Sequence, residues 1–281
     1  MRWKRLFYTG VLTGLGVLFS WQGGLQSHNA FTDVDTAIHT ETIPLTVVTY
    51  NIRGGRDDEG TADAGAIAAE LKRLSADIIA LQEVDNGLPR SRFADQAKEI
   101  AETLGMNYVF APTINFLVGT YGNALLSRYP IRASSSIELP YHLEPRGLLE
   151  AQLEVQGRTL HVFTTHLGLK HSERVQQFEF LYNYLRNKTG VPAILLGDFN
   201  TLPADPLLVP IRTLFQDPVF KHQQQLVSIN GSHTYGIIDH IFLSPDLQYI
   251  HAFSPTTSRS DHYPVTLLLE WQPDNEKPVP Y

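Results

Sequence analysis

Short apolar runs that stop abruptly on a polar or titratable residue recur along this chain, and they constrain its fold more than any other feature. Leu45-Thr-Val-Val-Thr-Tyr50 ends on Asn51, and Ile78-Ile-Ala-Leu81 leads into Gln82-Glu83. Leu160 to Thr165 ends on His166, and Ala193 to Leu196 leads into Gly197-Asp198-Phe199-Asn200. Ile237-Ile238 runs into Asp239-His240, and Ser260-Asp261-His262 stands just before the last apolar run. Runs this short and this rich in β-branched residues read as buried strands rather than helices. Ala124 to Ser127, Leu148 to Val155, Ile237 to Leu243 and Val265 to Trp271 are further expected strands, with Gln156-Gly157 as a hairpin turn. Polar groups at strand ends sit on rigid supports, so several of them together can build a pre-organised site.

Helical spacing appears between these runs. Gly65 to Leu74 and Phe93 to Leu104 are expected helices, the second stopping at Gly105 as a C-cap. Ser172 to Arg186 is the strongest, with Ser172 as the expected N-cap and Val175, Phe178, Leu181, Tyr182 and Leu185 along one face. No internal linker divides residues 45 to 271, so the pattern predicts one α/β domain with packed sheets. Periodicity alone leaves a sandwich and a doubly wound sheet equally open.

The chain contains no cysteine, which excludes disulfides, thiolate metal sites and a cysteine nucleophile. Its formal net charge is -7, so the molecule as a whole does not attract polyanions. Met1-Arg-Trp-Lys-Arg5 followed by the uncharged stretch from Leu6 to Trp21 has the order of an export signal. We therefore expect residues 1–27 to be a signal peptide or N-terminal membrane anchor, 28–43 a linker, 44–271 the catalytic domain and 272–281 a tail. The expected location is outside the cytoplasm: secreted, periplasmic, or held on the outer face of the membrane through residues 6–21. A monomer is expected.

The ordered series Tyr50-Asn51, Gln82-Glu83-Val84, Thr165-His166, Gly197-Asp198-Phe199-Asn200, Ile238-Asp239-His240-Ile241 and Ser260-Asp261-His262-Tyr263-Pro264 resembles the endonuclease/exonuclease/phosphatase superfamily. That group includes DNase I, exonuclease III-like nucleases, neutral sphingomyelinases and inositol polyphosphate phosphatases. The resemblance covers residues 45 to 271, and Tyr121 to Ile131 looks like the bacterial metal-dependent hydrolase branch. It implies a DNase I-like four-layer α/β sandwich, two β-sheets faced by helices, with the site at one edge.

By the same resemblance, Glu83 is the principal ligand of Mg²⁺, or of Mn²⁺, with Asn51 and Asp261 beside it. Hard oxygen ligands of this kind suit those cations. Asp198 and Asn200 would orient and activate the attacking water, and His262 would contact the phosphate, held in its tautomer by Asp239. His166 is the second expected catalytic histidine. DNase I-like enzymes orient their corresponding histidine with a carboxylate, whereas the matching segment here offers Asn123. Arg146 is expected to clamp a phosphate oxygen, with Asn123 near it. The implied activity is phosphodiester hydrolysis on a lipid headgroup or small phosphoester. An extracellular nuclease and a non-catalytic binding module on the same fold are the alternatives.

Overall fold

The computed structural model describes residues 42–229 and 236–272. The expected leader, almost all of the linker and nearly all of the tail lie outside the described residues. The apolar runs become the central strands of two sheets. One sheet contains β1 (Ile43–Asn51), β2 (Ile78–Asn86), β3 (Asn107–Asn115), β4 (Thr120–Ser127), β10 (Leu247–Phe253) and β11 (Val265–Trp271). Its strand order is β10-β11-β1-β2-β4-β3. The other, in the order β5-β6-β7-β8-β9, contains β5 (Ile131–Leu139), β6 (Arg146–Val155), β7 (Arg158–His166), β8 (Ala193–Asp198) and β9 (Asp239–Leu243).

The sheets face each other across one apolar layer that includes Val47, Leu125, Val162, Leu196 and Leu267. Helices α1 (Ala64–Leu74) and α2 (Gln96–Leu104) cover the outer face of the six-stranded sheet through Ile67, Leu71 and Ile100. Helix α3 (His171–Leu185) and the short α4 (Val209–Arg212) cover the other sheet through Phe178, Leu181 and Ile211; α5 (Pro218–Lys221) follows them. This is the expected four-layer α/β sandwich. Each fully buried Val, Leu or Ile contributes roughly 1.5–3 kcal/mol by leaving water, so the three apolar layers dominate its stability.

The strands that the sequence did not reveal lie at sheet edges. β3, β5 and β10 are all edge strands, and most of their side chains are exposed or only half-buried. β5 carries Ser134-Ser-Ser136 and β3 carries Pro112, a polar or proline-bearing habit that protects an unpaired edge. Helix α2 begins later than expected, at Gln96, because Asp95 rather than Phe93 supplies the cap: its side chain accepts from Lys98 N. Gly105 closes that helix in the left-handed conformation, as expected. Helix α3 has Lys170 at its N-cap position with no side-chain cap bond, so Ser172 lies inside the helix instead. His251 lies on β10 and stacks on Phe253. Among the described residues no helix is long and apolar enough to cross a membrane.

Topology determines where the polar strand ends meet. β1 and β2 run parallel, as do β7 and β8, so Asn51 and Gln82 finish side by side, and so do His166 and Asp198. β9 is antiparallel to β8 and begins where β8 stops, with Asp239 opposite Asp198. β11 is antiparallel to β1, so the segment before it, Ser260 to His262, returns to the same edge. A buried bridge joins the two sheets just beneath: Thr49 Oγ1 donates to Gln82 Oε1 at 3.2 Å, and Gln82 Nε2 donates to Thr164 Oγ1 at 3.2 Å.

Candidate active site

Asp198 is the hub. It is 1% exposed, and three side chains converge on its Oδ2 atom. Asn51 Nδ2 donates to it at 3.0 Å, His166 Nε2 lies at 3.4 Å and His262 Nε2 at 3.8 Å. Its Oδ1 atom accepts the Asn200 backbone N–H at 2.9 Å. Gly197 makes this placement possible: a Cβ there would lie 2.0 Å from the Thr165 carbonyl oxygen, so the strand turns into the site only with glycine. Asn200 sits in the left-handed region, with φ 49, and its amide donates to the Leu167 carbonyl at 2.9 Å. It therefore ties the ends of β7 and β8 together.

Glu83 is displayed by strain. The β2–β4 ladder shifts register between Leu81 and Val84, and Glu83 takes φ 57, a conformation costing an ordinary side chain of order 1–3 kcal/mol. The bulge turns the carboxylate toward Asn51, whose Nδ2 donates to Glu83 Oε1 at 2.9 Å. Asn51 thus joins Glu83 to Asp198, while its Oδ1 accepts the Arg53 backbone N–H. Asp261 is half exposed and pairs with Arg53, its Oδ2 lying 3.4 Å from Nε. Ser260, fully buried, anchors that segment by donating to the Asn51 carbonyl at 2.7 Å.

The two histidines have opposite surroundings. His262 Nδ1 lies 2.9 Å from Asp239 Oδ2. Burial alone would lower the ring's pKa, but the carboxylates of Asp239, Asp198 and Asp261 outweigh it and raise it to about 10. In the metal-free chain these carboxylates favour the protonated ring at neutral pH. His166 Nδ1 instead lies 2.8 Å from Arg146 Nη1. A guanidinium only donates, so Nδ1 must accept and the ring's hydrogen sits on Nε2, directed toward Asp198. Burial first, then the charges of Arg146 and His262, hold His166 well below its ordinary pKa. Burial together with the nearby Asp239 raises Asp198 to about 7.

The two residues expected at the phosphate, Arg146 and Asn123, both have protein partners. Arg146, 5% exposed, uses Nη1 on His166 and Nη2 on Glu144 at 3.3 Å. Asn123 is buried and donates to the Gly147 carbonyl at 3.2 Å, so it does not supply the orienting partner of His166; Arg146 does. A cavity of about 530 Å³ opens beside Glu83, His166 and Arg146. Arg90 and Tyr121, neither of them named as a catalytic, metal or phosphate residue from the sequence, also line it. Arg90 forms a two-pronged ion pair with the fully buried Asp85, at 2.9 and 2.6 Å, which holds its guanidinium over the Tyr121 ring. The signal available in the sequence was an arginine close behind an acid at a strand end, too common to single out. Among His, Asp and Glu side chains of the described residues, Asp198, Asp239 and His262 come close enough to share a cation, with donor atoms within 4.8 Å of one another. Asp239 Oδ1 is buried with no hydrogen-bond partner among the described residues.

The two-sheet sandwich with a carboxylate, amide and histidine cluster at one edge has counterparts among known proteins. The sequence profile of the Endonuclease/Exonuclease/phosphatase family matches residues 48–262, and the chain belongs to that family of metal-dependent phosphoester hydrolases. Among curated proteins it is 30% identical over 141 residues to the uncharacterized protein YbhP of Escherichia coli K12; the match spans 46% of this chain and 56% of YbhP. Three solved structures share the fold. An endonuclease/exonuclease/phosphatase from Beutenbergia cavernae is 20% identical with a TM-score of 0.67, over 81% of this chain and 72% of that one. A mannosyl-6-phosphatase from Bacteroides thetaiotaomicron is 20% identical with a TM-score of 0.65, over 80% and 99%. The human Nocturnin catalytic domain, with bound sulfate, is 21% identical with a TM-score of 0.65, over 82% and 96%.

Proposed function

We propose that this chain is an exported Mg²⁺-dependent phosphodiesterase acting on a lipid headgroup or small phosphoester by in-line attack of water. The observation that carries the reading is the convergence of Asn51, His166 and His262 on one buried carboxylate, Asp198, beside Glu83 and an open cavity. The donor set fits a hard cation. It is dominated by the carboxylates of Glu83, Asp198, Asp239 and Asp261, and Asp239 Oδ1 is a buried oxygen without a partner among the described residues. Glu83, Asn51 and Asp261 would hold Mg²⁺, or Mn²⁺ in its place, with Asp198 and Asp239 nearby. When bound, the cation polarises phosphoryl oxygens and stabilises the departing oxygen.

The residues themselves divide the remaining work. Asp198, raised to about 7, is poised to accept a proton from water near neutral pH. The His262 imidazolium, fixed by Asp239, donates hydrogen bonds to a phosphoryl oxygen and can deliver a proton to the leaving group. His166, kept neutral with its hydrogen on Nε2, acts as a donor and not as a base. Arg90 and Arg146 line the cavity together with Glu83 and Glu144, so a cation held at Glu83 would leave it favouring an anionic substrate.

The test is hydrolysis by the purified chain, with Mg²⁺ and with chelator, of single- and double-stranded DNA, RNA, sphingomyelin, phosphatidylinositol lipids and inositol phosphates. Activity should need the metal and disappear in His262→Ala; activity surviving that change would sink the proposed site. Export is supported by the basic cap and apolar stretch of residues 1–21. Recovery of the protein only in the cytoplasmic fraction would contradict it.

A further inference from the structure

The mouth of the catalytic cavity is ringed by apolar side chains that point into water. Phe116, Leu143 and Leu169 line the cavity yet are 49%, 73% and 72% exposed. They come from three separate connections: the β3–β4 turn, the β5–β6 connection and the β7–α3 connection. At the tip of the first, Leu117 is as exposed as in an open peptide, and Val118 beside it is also exposed. Gly119 fixes that tip, since a Cβ there would lie 2.6 Å from the Gly87 carbonyl carbon. Single exposed apolar residues are ordinary, but several from different loops around one opening mark a surface that is covered in use.

Below this collar the chemistry reverses. Glu83, Arg90, Glu144, Arg146 and His166 line the same cavity, and Arg146 and His166 are almost fully buried. Lys170, exposed next to Leu169, forms no ion pair among the described residues, a local positive charge on a chain of net charge -7. The opening is therefore polar and charged at depth, with the guanidinium groups of Arg90 and Arg146 among its charges, and mainly aliphatic at the lip, complementary to a phosphate attached to an apolar body.

We propose that this collar docks onto a lipid surface, with Phe116, Leu117, Leu143 and Leu169 entering the acyl boundary while a phospholipid headgroup descends to the site. The proposal rests on the phosphoester reading above and specifies the physical form of its substrate. Whatever covers the collar also covers the cavity mouth, so an occupant compatible with turnover must bring the phosphoester with it. A lipid interface does so; a second copy of this chain or a folded protein would block the opening. Nucleic acid also carries phosphate, but the collar offers three leucines, Leu117, Leu143 and Leu169, and a single aromatic ring, Phe116, where a strand would need a row of stacking rings. Short protruding apolar segments with neighbouring cations are the kind that enter a bilayer boundary.

The absence of cysteine provides a direct test. A single Leu117→Cys substitution in the full chain, labelled with an environment-sensitive fluorophore, reports on the collar alone. The same label at Ile250→Cys reports on β10, the opposite edge of the six-stranded sheet. Adding vesicles of phosphatidylcholine and phosphatidylglycerol should shift emission at 117 to the blue and leave 250 unchanged. The double substitution Leu143→Ser, Leu169→Ser should weaken the vesicle response by about tenfold or more, consistent with two apolar side chains withdrawn from lipid. An aqueous signal at 117 in vesicle-bound protein would assign the attachment to another segment and overturn the proposal. Equal shifts at both positions would overturn it too. So would a shift at 117 produced by protein concentration alone, meaning self-association, or by a single-stranded oligonucleotide instead of vesicles. Turnover of a water-soluble diester by the wild-type chain is measured separately, so failed docking and failed phosphoester chemistry give different patterns.

Discussion

The two sides of Asp198 place a histidine at similar range and prepare it for opposite tasks. On the β9–β11 side, His262 leans on a carboxylate and is held as a cation; on the β6–β7 side, His166 leans on a guanidinium and is held neutral. The difference lies in the neighbours, because both rings face the same Oδ2 atom within 3.4 to 3.8 Å. One buried acceptor between a charged and an uncharged donor is an asymmetric device. It separates a group that can give up a proton from one that only hydrogen-bonds. A symmetric pair of acid–base histidines, each backed by a carboxylate, is not what this chain has built.

Removing the shared acceptor should do the most damage. Asp198→Asn is expected to lower kcat/KM by about 10³-fold or more, because both rings lose their common partner and the candidate base is gone. Steady-state hydrolysis of a soluble diester measures it. His262→Ala should follow, at about 10²-fold or more. Asp239→Asn should return the His262 titration from about 10 toward the ordinary value near 6.5, visible in its ring signals.

On the other side, Arg146→Gln should cost about tenfold in activity, with a change in His166 tautomer as the diagnostic readout. A loss of activity with the His166 spectrum unchanged would remove Arg146 from this role. Asn123→Ala should touch the chemistry least. Its amide is bonded to the Gly147 carbonyl, so the expected effect is a stability loss of about 1–3 kcal/mol with kcat preserved.

The same asymmetry predicts the pH dependence of stability in the metal-free chain. His262 has a folded pKa raised to about 10, so the folded state binds its proton more tightly than the unfolded state does. That contribution is fully present below about 6.5 and is lost as pH rises toward about 10. Thermal melting across this window should show a decline that His262→Gln lacks.

Much of this was legible from the chain, for a physical reason. A central strand is buried on both faces and must be continuously apolar, so the runs ending at Asn51, Glu83, His166 and Asp198 stood out against their polar termini. An edge strand has no such requirement: β5 with its serines and β3 with Pro112 satisfy solvent first, and their pairing depends on β6 and β4. The gathering of Asn51, Glu83, His166, Asp198, Asp239 and His262 at one edge follows from parallel pairing and was readable as a set. What each side chain bonds there was not. The partner of His166 came from Arg146, twenty residues upstream on the neighbouring strand, and no spacing rule favours that over Asn123. The cavity lip at Leu143 and Leu169 was hidden for the same reason, as loop residues acquire a common address only when the strands beneath them pair.

The central claim, one cationic and one neutral histidine flanking Asp198, is tested most directly by side-chain nitrogen–proton correlation spectra of the metal-free protein at neutral pH. His166→Gln and His262→Gln would assign the two rings. The expected result is His262 protonated on both nitrogens and His166 carrying hydrogen on Nε2 alone. Both rings in the same protonation state, or His166 carrying its hydrogen on Nδ1, would contradict the account.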